Sequence, residues 1–145
     1  MKNFIYLTLC GWLCLSPGFT HAVEEPKITP PPNKSVKPPA EFKNIKVEEF
    51  DKLRANQKNV VLDVRTASEF AANHMPGAIN LDVNAPDFEQ KAGALDKNQT
   101  YLVHCAAGVR SAKACGKMSK LAFPNLYNLE GGFKAWEKAG KPVEK

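Results

Sequence analysis

The chain has 145 residues, with 20 Lys and Arg against 15 Asp and Glu, and a net charge of +5. That length suits one ordinary domain. Apolar residues at 43% and charged residues at 24% exclude a wholly disordered chain, a collagen-like chain and a multi-span membrane protein, and four Cys are too few for a disulfide-stapled miniprotein.

Residues 1–22 read as a secretory signal peptide. Lys2 supplies the positive charge, and residues 4–15 form an apolar run too short to cross the ~30 Å of bilayer hydrocarbon. Thr20-His21-Ala22 ends on a small residue, as a cleavage site does. Cleavage after Ala22 leaves Cys105 and Cys115 as the cysteines of the mature chain. Export implies a periplasmic or secreted protein with no membrane span after cleavage, in a compartment where idle thiols oxidise. Residues 23–40 form a Pro-rich linker. Pro26, Pro30, Pro31, Pro32, Pro38 and Pro39 follow one another with almost no large apolar residue between them, which predicts an extended, semi-rigid tether. The compact domain is expected over residues 41–145.

Within that domain short β-type runs alternate with helical patterns. Residues 43–46 predict a brief strand. Residues 47–56 predict a helix with Val47, Phe50 and Leu53 on its inner face. Residues 60–64 are nearly all apolar, as in a strand buried on both sides. Thr66 and Glu69 fit a capping box, and the helix they open is expected to carry Phe70 inward. Pro76-Gly77 predicts a turn and residues 78–81 a strand. A short helical stretch lies between Phe88 and Leu95, and residues 100–104 predict a buried strand. A helix over residues 111–122 should point Ala112, Cys115, Met118 and Ala122 inward and leave Lys113, Lys117 and Lys120 as a wet stripe. Residues 126–129 are the last strand. Gly131-Gly132 opens a helix that carries Phe133 and Trp136 and ends near Gly140.

This β-α alternation predicts an α/β fold with a parallel sheet between helices. In such sheets the functional crevice lies beyond the carboxyl ends of the strands. Asp63-Val64-Arg65, the segment from Cys105 onward, and Glu130-Gly131-Gly132 leave those ends and should meet there.

The segment His104-Cys105-Ala106-Ala107-Gly108-Val109-Arg110-Ser111 carries the chemistry. A Cys ends a buried strand, a loop of small residues follows, and a helix begins. Gly108 lets the loop curl so that successive N–H groups converge, and with the helix N-terminus they form an anion cradle. That field favours thiolate over thiol at Cys105. Arg110 adds a positive charge with forked donors. The thiol is expected at the mouth of this ring. A thiolate so placed suits attack on the outer sulfur of a sulfane donor, or on an oxyanion such as phosphate. Four residues between Cys105 and Arg110 make a ring better sized for a single sulfur than for a phosphoryl group. Asp63 and Arg65 can orient the loop or form a structural ion pair, with Glu69 as a further partner. His74 is expected to brace its turn, His104 to point away from the thiol, and Cys115 to pack in the core. The His and Cys show no metal-ligand spacing, and nothing forms a nucleic-acid motif.

Four motifs in order carry a resemblance. Leu62-Asp63-Val64-Arg65 with Glu69-Phe70, His74-Met75-Pro76-Gly77-Ala78-Ile79-Asn80, Cys105-Ala106-Ala107-Gly108-Val109-Arg110-Ser111, and Leu129-Glu130-Gly131-Gly132-Phe133-Lys134-Ala135-Trp136 are similar to the signature segments of the rhodanese family of sulfurtransferases, in its single-domain exported form. The resemblance implies a rhodanese-like three-layer domain with a five-stranded parallel sheet. It implies Cys105 as the catalytic sulfur carrier and the backbone from Ala106, Ala107, Gly108 and Val109 to Arg110 as the substrate- and persulfide-binding cradle. It implies a small sulfur-containing anion such as thiosulfate as donor, and cyanide or a thiol, small or protein-borne, as acceptor. No cofactor is required, because the protein holds the sulfur covalently. Rival readings are a phosphatase or arsenate reductase using the same thiolate, and a non-enzymatic persulfide carrier or docking module tethered by the Pro-rich arm.

Overall fold

A computed structural model of the chain describes residues 41–145. The expected signal peptide and Pro-rich linker lie outside the described residues. Among these there are five strands, β1 (Lys43–Ile45), β2 (Asn59–Asp63), β3 (Ile79–Asn80), β4 (Thr100–His104) and β5 (Leu126–Leu129). They alternate with α1 (Val47–Arg54), α2 (Ala67–Ala72), α3 (Phe88–Gly93), α4 (Val109–Lys120) and α5 (Gly132–Lys138). The strands form one parallel sheet in the order β1-β5-β4-β2-β3. No described helix is long and apolar enough to cross a membrane.

The sheet is buried on both faces because its central strands are apolar on both. Alternate residues go to opposite cores. Leu62, Tyr101 and Val103 join Phe88, Ala114, Cys115 and Met118 under α3 and α4. Val61 and Leu102 join Phe50, Leu129, Phe133 and Trp136 under α1 and α5. Phe50 and Trp136 are fully buried edge to face, 6.0 Å between ring centroids. Each contributes about 1.5–3 kcal/mol through burial alone. Strand periodicity then assigns the next two residues: His104 falls on the α1/α5 face and Cys105 on the α3/α4 face. The register sets Asp63 beside His104 at the carboxyl edge.

Four local expectations are corrected. The capping box at Thr66 and Glu69 forms, but α2 buries no residue. Phe70 stays half-buried and stacks on His74, centroids 4.0 Å apart, because α2 rides at the edge of the fold and not over a core. Helix α4 starts two residues earlier than expected, since Gly108, at φ +94°, ends the loop and lets helical geometry begin at Val109. Its inner face is Ser111, Ala114, Cys115 and Met118, and Ala112 lies on the half-buried flank. Lys117 does not belong to a wet stripe. It is half-buried, pairs with Glu89 of α3 at 3.2 Å, and lays its ammonium 5.3 Å from the Phe88 ring.

Ala122 is the fourth. It lies past the end of α4, exposed, with a left-handed φ of +66°. The N–H of Phe123 donates to the Met118 carbonyl and that of Ala122 to the Ser119 carbonyl, the paired bonds of a Schellman ending. Buried Phe123 anchors the motif. A side chain in left-handed geometry costs energy that glycine avoids, so Ala122→Gly is expected to raise stability by about 0.5–1 kcal/mol. The urea midpoint checks this, and a lower midpoint would sink it.

Candidate active site

The loop after β4 is short and held from two sides. Helix α4 has Gly108 as its N-cap and no side-chain cap, so its first N–H groups need another acceptor. The Cys105 sulfur supplies it. Gly108 N–H donates to Sγ at 3.1 Å, and Ser111 Oγ lies 3.4 Å from Sγ and 3.0 Å from the Gly108 carbonyl oxygen. Helix α5 also lacks a side-chain cap. Its free N–H groups donate to the loop instead: Phe133 to the Cys105 carbonyl at 2.7 Å and Lys134 to the Ala106 carbonyl at 3.1 Å. With those carbonyls pulled toward α5, the following amides turn toward the sulfur.

The electrostatics follow. Burial of the thiol opposes its ionisation. The Ser111 hydroxyl and the N–H groups of Ser111, Ala107 and Gly108 outweigh that and hold the Cys105 pKa below the ordinary thiol value. Cys115 shows burial winning: against its own backbone N–H as the opposing donor, its thiol is pushed up to about 12. Both cysteines are free. Of the expected amides, those of Ala107 and Gly108 converge on the sulfur, joined by Ser111 from beyond the expected stretch. The expected position of the thiol is corrected: Cys105 keeps only 1% of its surface exposed, so Sγ lies on the floor of the cradle and not at its mouth. The cause is its place on the α3/α4 face, where it joins the core of Val64, Val83, Phe88 and Ala114. Val109, at the start of α4, is 79% exposed.

Arg110 has its forked donors engaged. Nη1 and Nη2 each donate to a Glu69 oxygen at 2.8 Å. That pairing pulls Glu69 down to about 2, and it raises Arg110 in turn. Glu69 therefore has two tasks, since its Oε2 also accepts from the N–H and hydroxyl of Thr66. Its expected link to Arg65 is absent. Arg65 instead binds both carboxylate oxygens of Asp63, with its closest approach at 2.6 Å, and donates to the Asn73 carbonyl. This pair is almost wholly buried. The Arg65 guanidinium sits 4.2 Å from the centroid of the Phe133 ring, so Asp63 and Arg65 bear on the loop through the residue that holds the Cys105 carbonyl.

His104 is buried between Phe50 and Phe133, on the sheet face opposite Cys105, with Nε2 3.7 Å from Asp63. Burial drives its pKa down to about 4, so it is neutral at neutral pH. His74 braces its turn: Nδ1 is 3.0 Å from the Phe70 carbonyl oxygen and Nε2 is 3.4 Å from Glu144. Among the described residues no group of three His, Cys, Asp or Glu could hold a metal ion. A groove of about 800 Å³ lies at the amino end of the sheet, beside Asn59 and Thr100, and includes none of the expected site residues.

Sequence reasoning missed the bonds that Glu69, Ser111 and Phe133 make in the site. Glu69 was legible as a helix cap, but its pairing with a residue 41 positions away was not. Ser111 and Phe133 had local readings, loop end and core, that hid their hydrogen bonds to the cysteine.

Known proteins share this arrangement of elements. The sequence profile described as "Rhodanese-like domain" matches residues 46–139. The thiosulfate sulfurtransferase GlpE of Pseudomonas putida is 36% identical over 106 residues, 72% of this chain and 93% of that protein. The protein HIGH ARSENIC CONTENT 1 of Arabidopsis thaliana is 36% identical over 97 residues, 57% of each chain. A rhodanese-related protein of Thermoplasma volcanium superposes with a TM-score of 0.62 at 31% identity, covering 71% of this chain and 98% of that one. Motif order, sheet topology and these matches agree: the chain belongs to the rhodanese-like domain family.

Proposed function

We propose that the protein is a sulfurtransferase that carries a sulfane sulfur as a persulfide on Cys105. The observation that carries this reading is the ring of donors around Sγ. N–H groups of Ala107, Gly108 and Ser111 and the Ser111 hydroxyl converge on one sulfur, and among the described residues no acid or base side chain hydrogen-bonds to it. Such a ring stabilises a thiolate before attack and the charged outer sulfur of a persulfide afterwards. The thiolate attacks the outer sulfur of a donor such as thiosulfate. The S–S bond of the donor breaks, and sulfite leaves with the electron pair. Cyanide or a thiolate then attacks the outer sulfur of the persulfide, and Cys105 is released again as thiolate. The names of sulfurtransferase relatives support the same chemistry. The sequence pattern of residues 1–22 supports a place of action outside the cytoplasm, periplasmic or secreted.

One relative's name refers to arsenic, which keeps attack on an oxyanion as the rival. Intact mass after brief exposure to thiosulfate separates the two. One added sulfur atom is expected, lost on adding cyanide and absent in Cys105→Ala. Turnover of arsenate or an aryl phosphate without any sulfur adduct would overturn the reading.

A further inference from the structure

The charges around Cys105 say which sulfane donor the site prefers. Thiosulfate is a dianion, and the water it gives up on reaching a buried sulfur must be replaced by positive charge or donors. Arg110 lies within coulombic reach of Cys105, and Glu69 already occupies both ends of its guanidinium. Asp82 also lies within coulombic reach of Arg110. The side chains of Ala106, Ala107 and Val109 add no charge. Lys113 and Lys134 are exposed, where salt and water screen them. Cys105 itself contributes a negative charge when ionised. The donor therefore meets an amide ring able to hold one anionic sulfur, and a cation whose charge is spent.

A second observation points the same way. Val109 adjoins the N-cap glycine of α4 and is 79% exposed, against 43% for Ile79 and 45% for Val143, the other exposed large apolar residues among those described. An apolar surface four residues from the nucleophile offers nothing to thiosulfate. It offers contact to a carbon substituent.

We infer that Cys105 takes sulfur preferentially from an organic sulfane donor, R–SO2–S⁻ or R–S–S⁻, with one negative charge and an apolar R group, and uses thiosulfate less well. This rests on the sulfurtransferase reading and narrows its substrate. The step balances: the thiolate forms a bond to the terminal sulfur, the bond from that sulfur to R–SO2 or R–S breaks, and a sulfinate or thiolate leaves with the electron pair. No oxidant or reductant takes part. Glu69 acts in this as a positioning residue, by holding Arg110 away from the donor.

The test compares kcat/KM for thiosulfate, methanethiosulfonate and benzenethiosulfonate. Each value is divided by the rate of the same donor with free cysteine thiolate, which removes intrinsic leaving-group differences. The wild type is expected to favour benzenethiosulfonate over thiosulfate by about tenfold or more, the equivalent of one lost charge contact in a desolvated site. Glu69→Gln keeps a side chain that can close the capping box. It frees Arg110, and should raise thiosulfate relative to the thiosulfonates by about three- to fivefold at low salt, as a partly exposed charge can. Val109→Ser should narrow the gap between the benzene and methane compounds by a similar factor, about fivefold for the lost apolar contact. A wild type that handles thiosulfate as well as either thiosulfonate overturns the inference, as does a Glu69→Gln variant with an unchanged ratio. If none of the three donors places sulfur on Cys105, the sulfurtransferase reading falls with it. If thiosulfate charges Cys105 best, only the donor preference falls.

Discussion

Cys105→Ser is expected to lower sulfur transfer by about a thousandfold or more while leaving the fold in place, because the variant loses a nucleophile and keeps a hydrogen-bonding group of similar shape. Serine can accept the Gly108 N–H as the sulfur does, so the melting temperature should move by only a few degrees. The contrast with pH is equally informative. The cradle holds the Cys105 pKa below the ordinary thiol value, so the reactive thiolate is present above that lowered pKa and is lost as pH falls through it. Alkylation of Cys105 by iodoacetamide should therefore persist to lower pH than alkylation of free cysteine. Cys115, its thiol pushed up to about 12, stays protonated and should stay unmodified in the native state. An inflection for Cys105 at or above that of free cysteine would show that burial wins over the amides, and that the site is not built to ionise its thiol.

The parts of this fold that local pattern determines were legible in advance. Residues 100–104 are apolar on both faces, and they form the central strand with those bounds. Period-two alternation alone separates His104 from Cys105 across the sheet. The parts that failed depend on distant chain. Phe70 reads as an inward aromatic on its helix, yet whether a short helix covers a core or an edge is settled by neighbours that its own sequence does not name. Arg110 reads as a cation with forked donors and no named partner. The partner is Glu69, which α2 places within reach of its fork from 41 positions earlier. Lys117 follows the same rule with Glu89. The depth of Cys105 is the sharpest case. Its loop composition suggests an open ring, but the sulfur joins the core under α3 and α4, beside Val83 and Phe88 from a distant part of the chain. Gly131-Gly132 was legible as a helix start. Its role in reaching the loop backbone was not.

That contact carries the second large effect. Gly132 has a φ of +59°, and a Cβ there would lie 2.3 Å from the Cys105 carbonyl oxygen, 2.7 Å from Ala107 N and 2.8 Å from Ala106 C. All three are backbone atoms of the cradle, so no side-chain rotation relieves the overlap. Relief requires the loop and the start of α5 to separate, which breaks the bonds from Phe133 N–H to the Cys105 carbonyl and from Lys134 N–H to the Ala106 carbonyl. Those bonds aim the amides at the sulfur. Gly132→Ala is thus expected to lower stability by about 2–4 kcal/mol, from left-handed strain plus two lost buried bonds. Sulfur loading should fall about a hundredfold in the molecules that remain folded, because misplacing a cradle by an ångström costs that much. Gly116, in the middle of α4 with open space around its Cα, is the control: Gly116→Ala should gain about 0.5–1 kcal/mol from helix propensity. Urea denaturation and the mass of the sulfur-loaded protein read both variants. A Gly132→Ala protein with native stability and native loading would mean that α5 does not hold the cradle, and the origin of the inward-turned amides would have to lie within the loop itself.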